Sequence, residues 1–195
     1  MKYKVIIFDF DDTLILSGKL KYDTFFEIFS EYGIEVKIIV DVLSEFPELN
    51  RYDTIAKITQ RANLKLDNDY ISESYTSLVN IKIINAKPLD FAEIILNSLS
   101  QSNIEIFLSS NTPVNILSEI VKNKNWDKYF KKIFGYPGTK IESLEKIIRT
   151  TGYTLDKYLV VGDGQSDKNS ALMNCVEYFE IKTNSLLNLK LHLDI

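Results

Sequence analysis

Residues 5–13 read VIIFDFDDT, a run of four apolar side chains that passes directly into an acidic segment. Short runs of β-branched and aromatic residues are typical of strands buried on both faces, as in a parallel sheet covered by helices. Ligand sites in such sheets lie at the carboxyl ends of the strands. The stretch therefore predicts a buried strand with Asp9 and Asp11 placed for function at its carboxyl end.

Similar apolar runs recur along the chain and end in polar residues. They cover residues 104–108 and 158–161, with weaker examples at 132–134 and 178–181. Helical patterns lie between them, including 91–99 and 141–149, the latter followed by Gly152; Thr112 and Pro113 read as the cap and first residue of another helix. Alternating strands and helices predict an α/β fold, a doubly wound parallel sheet.

The first two strands are separated by far more chain than a crossover needs. About 70 residues are surplus, and they carry four amphipathic segments with few glycines or prolines, one of them 54–62 with Asp53 as its cap. We therefore expect a core built from residues 1–16 and 88–195, with residues 17–87 forming an inserted helical subdomain.

Composition limits the function classes. The 195 residues carry a net charge of −4 with scattered lysines and arginines, so we expect no nucleic-acid partner and no membrane partner. The chain has one cysteine and no apolar segment long enough for a membrane span, which fits a cytoplasmic protein.

Polar residues follow three of the apolar runs. The first run is followed by Asp9, Asp11 and Asp12, the second by residues 109–112, SSNT, and the third by residues 162–167, GDGQSD, with Lys140 between the last two. Carboxylates gathered at one sheet edge repel one another unless a cation neutralises them. A hard divalent ion such as Mg²⁺ suits oxygen ligands, and a lysine beside it suits an anionic substrate.

These segments together resemble the four motifs of the haloacid dehalogenase (HAD) superfamily. The segment 9–14, DFDDTL, is similar to the first motif, Ser110-Asn111 to the second, Lys140 to the third and GDGQSD to the fourth. They occur in the family's order, and the surplus segment lies where the family places a helical cap. The resemblance implies the helical-capped, phosphoglycolate-phosphatase-like type.

The resemblance also implies roles for individual residues. Asp9 would be the nucleophile that forms an aspartyl-phosphate, and Asp11 the general acid and then the general base. Ser110, Asn111 and Lys140 would bind the phosphoryl group.

The metal site is implied in the same way. Asp9, the Asp11 backbone carbonyl and Asp163 would bind Mg²⁺, while Asp167 would orient those ligands. The implied activity is a Mg²⁺-dependent phosphatase acting on a small phosphorylated metabolite.

Several alternatives stay open from the residues. Asp11 disfavours dehalogenase chemistry within the superfamily, but a phosphosugar mutase and a non-catalytic binding module of the same fold remain. Ser109 competes with Ser110 for the second motif, and three further lysines (Lys131, Lys132 and Lys146) compete with Lys140. Arg51, in the inserted segment, is a candidate for substrate specificity through a carboxylate or phosphate, with an ordinary surface arginine as the alternative.

Overall fold

The computed structural model describes residues 2–47, 49–181 and 185–194. Over these residues it contains a five-stranded sheet in which all paired neighbours are parallel, in the order β3-β2-β1-β4-β5. The strands are β1 (Val5–Phe8), β2 (Glu105–Pro113), β3 (Lys132–Tyr136), β4 (Tyr158–Gly162) and β5 (Glu177–Glu180). The predicted α/β fold with a doubly wound parallel sheet is confirmed.

Helices occupy the segments between the strands. They are α1 (Gly18–Ser30), α2 (Val36–Glu45), α3 (Arg51–Arg61), α4 (Asn68–Ile84), α5 (Ala92–Ser100), α6 (Val114–Asn123), α7 (Lys140–Thr151), α8 (Gln165–Met173) and α9 (Leu186–Leu193). In the described part of the chain, none of the helices combines the length and apolarity that crossing a membrane requires.

Two strands in the middle of the sheet are buried along their whole length. Every residue of β1 and β4 is buried, which explains why both read as continuous apolar runs. The register sets Phe8 opposite Leu108 of β2 and Val161 of β4. The residues that follow these three positions therefore meet at the carboxyl edge of the sheet, beside the point where the strand order reverses.

Side chains alternate between the two faces of the sheet. On one face, Val5, Ile7 and Val160 form a buried cluster with Leu144 and Ile147 of α7. The opposite side chains of the same strands, such as Ile6 and Phe8, are also fully buried. The central strands are thus packed on both faces, so the residues at their carboxyl ends start from a rigid sheet.

The chain divides into two compact units. The first contains the sheet and comprises residues up to Leu16 and from Ala86 onward; the second comprises Ser17–Asn85. The second unit consists of α1–α4 around its own apolar core, in which Phe25 stacks on Tyr75 with 4.4 Å between ring centroids.

The first unit closes on itself where the chain leaves and re-enters it. Ile15 forms an antiparallel bridge with Pro88. The Leu16 backbone N–H donates to the Lys87 carbonyl, and the Leu89 N–H to the Leu14 carbonyl, both at 2.9 Å. The two crossing segments therefore pair with each other within this unit.

Two predicted helix caps are wrong. Thr112 belongs to β2 and Pro113 is the cap residue of α6, because the strand continues beyond Leu108 through a register shift between Ser109 and Pro113. In the second unit α3 begins before Thr54, and Asn50 caps it by accepting hydrogen bonds from the backbone N–H groups of Tyr52 and Asp53.

Candidate active site

Asp9 lies directly after β1 at the carboxyl edge of the sheet. Its backbone N–H donates to the Val161 carbonyl at 2.8 Å, so the pairing with β4 continues through this residue. Asp9 is only 5% exposed. A carboxylate with so little access to water needs a compensating charge close by.

The loop after Asp9 turns back within a few residues. The backbone N–H groups of Leu14 and Ile15 both donate to the Phe10 carbonyl, and that of Asp12 donates to the Ile15 carbonyl. Asp12 takes a positive φ of 52°, a conformation that aspartate tolerates better than most residues. With Phe10 fully buried, this turn keeps the acidic residues at the sheet edge.

Lys140 supplies a positive charge beside Asp9. A capping box of Thr139 and Glu142 makes α7 begin at this residue. The Lys140 Nζ lies 2.8 Å from Asp9 Oδ1 and 2.8 Å from Asp167 Oδ1. Burial lowers the pKa of Lys140, but the charges of the two carboxylates and their hydrogen bonds raise that pKa by more, so the lysine stays charged.

The loop after β4 brings two further carboxylates to Asp9. One oxygen each from Asp9, Asp163 and Asp167 lies within 4.8 Å of the others. The residue before Asp163 must be glycine, because a Cβ at Gly162 would lie 2.3 Å from the Asp167 Cγ. Asp167 is buried, and the Gly164 backbone N–H donates to its Oδ2 at 3.4 Å.

Negative charge exceeds positive charge in this three-carboxylate cluster. Burial, followed by the charges of Asp9 and Asp12, raises the pKa of Asp163 to about 6. Burial and the charge of Asp9 also raise the pKa of Asp167 to about 7, although Lys140 acts in the opposite direction. Three clustered carboxylates that lack full neutralisation form a donor set that fits a hard divalent cation.

The Asp11 side chain forms hydrogen bonds with the end of β2. Its Oδ2 accepts a hydrogen bond from the Thr112 hydroxyl at 2.9 Å and a longer one from the Ser110 hydroxyl at 3.4 Å. The sequence pattern predicts Thr112 as a helix cap and gives no prediction of this contact. The available signal was its place in a hydroxyl-rich segment at the end of β2, the same edge that carries Asp11.

Ser110 and Asn111, the other predicted phosphate ligands, differ in burial and in hydrogen-bond partners. Ser110 is buried, and its Oγ accepts a hydrogen bond from the Thr112 backbone N–H at 3.1 Å. Asn111 is exposed, and its Nδ2 donates to the Ser166 hydroxyl at 3.4 Å. Of the competing lysines, Lys131 forms an ion pair with Glu105 at the amino end of β2.

Arg51 is the first residue of α3, within the second unit. Its Nη1 donates to the Thr76 hydroxyl at 3.0 Å, and its guanidinium lies 5.8 Å from the centre of the Tyr75 ring. These contacts anchor the arginine on α4. Its role in specificity stays a prediction.

Comparison with protein families identifies the class. The model of the haloacid dehalogenase-like hydrolase family matches residues 6–180. This match covers most of the chain, so the protein belongs to the haloacid dehalogenase-like hydrolase family, as its four motifs predicted. A comparison with curated proteins finds no match.

Solved structures share the fold at low sequence identity. A protein assigned as a HAD hydrolase, YfnB from Bacillus subtilis in a magnesium-bound structure, has a TM-score of 0.78 and 14% identity, with 100% of each chain covered. A protein assigned as a phosphoglycolate phosphatase from Haemophilus somnus has a TM-score of 0.77 and 16% identity, covering 92% of this chain and 85% of that one. A protein assigned as a β-phosphoglucomutase from Thermotoga maritima has a TM-score of 0.74 and 14% identity, covering 91% and 84%.

Proposed function

We propose that this hydrolase is a Mg²⁺-dependent phosphatase that cleaves small phosphorylated metabolites through an aspartyl-phosphate on Asp9. One observation carries the proposal: the buried Asp9 and Asp167 cluster with the half-buried Asp163, and Lys140 reaches both Asp9 and Asp167 at 2.8 Å. A buried carboxylate beside a lysine and a cation-binding donor set is equipped to receive a phosphoryl group.

The residues present fit a magnesium ion. Asp9 and Asp163 would hold it with the backbone carbonyl of Asp11, and Asp167 lies close enough to orient or join them. All these donors are oxygens, as magnesium prefers. When bound, the ion supplies positive charge that screens the carboxylates from an incoming phosphate.

Asp9 and Asp11 divide the chemistry between them. An Asp9 oxygen forms a bond to phosphorus as the bond to the ester oxygen breaks, and Asp11 donates a proton to that leaving oxygen. Asp11 then takes a proton from a water molecule whose oxygen attacks the same phosphorus. The Asp9–phosphorus bond breaks, inorganic phosphate leaves, and both carboxyl groups return to their starting states.

The remaining predicted residues bind the substrate. Lys140, Ser110 and Asn111 would hold the phosphoryl oxygens, with the lysine charge offsetting that of the phosphate. The second unit, residues 17–85, would serve as the cap that selects substrates, with Arg51 as a candidate contact. Fold neighbours assigned as a phosphoglycolate phosphatase and a magnesium-bound HAD hydrolase support the phosphatase proposal.

The proposal is tested by measuring release of inorganic phosphate from p-nitrophenyl phosphate and a panel of phosphorylated metabolites. Turnover should require Mg²⁺, stop on chelation and fall about 10⁴-fold in Asp9→Asn. The matched control is Asp156→Asn, an exposed carboxylate that precedes β4 at the opposite edge of the sheet and should leave turnover unchanged. No Mg²⁺-dependent release from any ester would overturn the proposal, and isomerised sugar phosphate without free phosphate would favour the mutase.

A further inference from the structure

Thr112 is held in a fixed place at the end of β2. It is 4% exposed and lies within the register shift between Ser109 and Pro113, where β2 still pairs with β3. The neighbouring β3 backbone approaches so closely that a Cβ on Gly135 would lie 2.5 Å from the Thr112 carbonyl oxygen. A side chain on such a tightly packed strand has a well-defined position.

The hydroxyl of Thr112 makes a shorter hydrogen bond to Asp11 than the hydroxyl of Ser110 does. It donates to Asp11 Oδ2 at 2.9 Å, whereas Ser110 donates to the same oxygen at 3.4 Å. The Thr112 backbone N–H also donates to the Ser110 hydroxyl at 3.1 Å. Thr112 therefore orients the Asp11 carboxyl group directly, and it also orients the Ser110 hydroxyl that makes the longer bond to that group.

Asp11 has particular need of such a partner. It lies in a loop, next to Asp12 with its positive φ, while its proposed work demands one carboxyl group that first gives and then takes a proton at a fixed point. Proton transfer depends on hydrogen-bond geometry, and a displacement of about 1 Å can cost on the order of 10²-fold in rate. A hydrogen bond from a hydroxyl on the rigid strand restrains the position of the Asp11 carboxyl group in the loop.

We propose that Thr112 is a positioning residue for the phosphatase reaction: its hydroxyl, fixed by β2, holds the Asp11 carboxyl in line for proton transfer to the leaving group. This inference rests on the proposed function and adds to it a residue outside the four motifs. A buried threonine that merely satisfied its own hydroxyl would affect stability and would be indifferent to the substrate's leaving group.

Leaving-group dependence separates these roles. Phenolate is a much stronger base than p-nitrophenolate, so cleavage of phenyl phosphate needs protonation of the leaving oxygen more. With Mg²⁺ in excess, Thr112→Val should lose about 30-fold in kcat/KM on phenyl phosphate but less than about threefold on p-nitrophenyl phosphate. Thr112→Ser, which keeps the hydroxyl, should restore phenyl phosphate cleavage to within about threefold of the wild type.

Two further variants make the outcomes distinct. Thr151→Val removes a hydroxyl hydrogen bond at the other end of the first unit, where Thr151 bonds the Ile147 carbonyl and the Tyr158 hydroxyl, and it should show no leaving-group dependence. Asp11→Asn should show a steeper dependence than Thr112→Val. The role of Thr112 would be overturned if Thr112→Val lost kcat/KM equally on both substrates, or if Thr112→Ser did not restore phenyl phosphate cleavage. In either case Asp11→Asn would still lose more on phenyl phosphate than on p-nitrophenyl phosphate. An inactive wild type would overturn the phosphatase proposal, and this inference with it.

Discussion

The amino and carboxyl edges of the sheet both carry charged side chains, but the two edges differ in how these charges are paired and exposed to solvent. At the amino edge, ion pairs join Lys2 to Glu177, Lys131 to Glu105 and Lys157 to Asp156. Each pairs one cation with one anion, and each retains access to solvent. Exposed pairs of this kind contribute about 0–1 kcal/mol to stability.

At the carboxyl edge the charges are buried and unequal in number. Three carboxylates gather around Lys140, and the lysine and two of its acidic neighbours have side chains at most 6% exposed. Burying charges costs free energy that mutual attraction recovers only in part. The difference teaches that charge is balanced pair by pair at one edge of the sheet, whereas the edge with the proposed active site is left short of positive charge.

The largest expected difference between the two edges comes from removing a lysine from each. Lys140→Ala should lower kcat at saturating Mg²⁺ by about 10²- to 10³-fold, because the phosphoryl group loses its fixed positive partner and two carboxylates lose theirs. Lys157→Ala removes a cation from the amino edge and should stay within about twofold of wild type. Steady-state kinetics on one substrate measures kcat for both variants. Similar losses of kcat in both would contradict the expected difference between the edges.

The next effect concerns packing beneath the acidic cluster. Gly162→Ala should lower the free energy of unfolding by about 2 kcal/mol, since the new methyl group overlaps the Asp167 side chain. Gly138→Ala meets its nearest atom, the Gly135 carbonyl oxygen, at 3.5 Å and should change stability by less than about 1 kcal/mol. Urea unfolding of both variants measures the difference, and a Gly162→Ala protein as stable as Gly138→Ala would contradict it.

Replacing one aspartate by asparagine should change the free energy of unfolding in opposite directions at the two edges. Because the folded-state pKa of Asp163 is raised to about 6, the stability linked to its proton is present at low pH and is lost as pH rises through about 6. Without metal at pH 8, Asp163→Asn should therefore be more stable than wild type by about 1 kcal/mol, an advantage that fades below pH 4. Asp156→Asn should be slightly less stable than wild type, because Lys157 and Thr154 hold the pKa of Asp156 below its usual value.

Thermal or urea unfolding in a chelating buffer measures these signs. If the proposed site binds Mg²⁺, adding the ion should make the wild type more stable than Asp163→Asn, since a ligand of the folded state stabilises it by mass action. A metal-free Asp163→Asn protein that is less stable at pH 8 would show that the cluster is not short of positive charge.

The smallest effect is expected for the exposed pairs. Lys131→Met breaks the pair with Glu105 and should change the free energy of unfolding by less than about 1 kcal/mol, with the difference shrinking as salt is added. Chemical unfolding at low and high salt tests this. A loss above about 2 kcal/mol would mean that the amino edge depends on charge as strongly as the carboxyl edge.

The sequence predicted those parts of the fold that depend on local pattern. The run Val5–Phe8 coincides with β1, since a strand buried on both faces is apolar at every position. Gly152 ends α7 in the left-handed conformation, with φ of 70°. The placing of acidic residues directly after apolar runs predicted the edge at which Asp9, Asp163 and Asp167 meet, because parallel strands end together.

The sequence did not predict features that depend on tertiary contacts. The extension of β2 through Thr112 follows from its pairing with β3 and the close approach at Gly135, and neither leaves a periodic signal. For the same reason the hydroxyl of Thr112 was read as a cap. The sequence predicted Lys140 at the acidic edge, but not its 2.8 Å contacts with Asp9 and Asp167, which depend on side-chain reach.

The paired crossing segments at Ile15 and Pro88 bear on how such proteins diversify. Because these segments pair through one antiparallel bridge inside the first unit, the chain leaves and returns at nearly one point. A chain that leaves and re-enters the first unit at one point could exchange the intervening segment while the acidic edge of the sheet keeps its place.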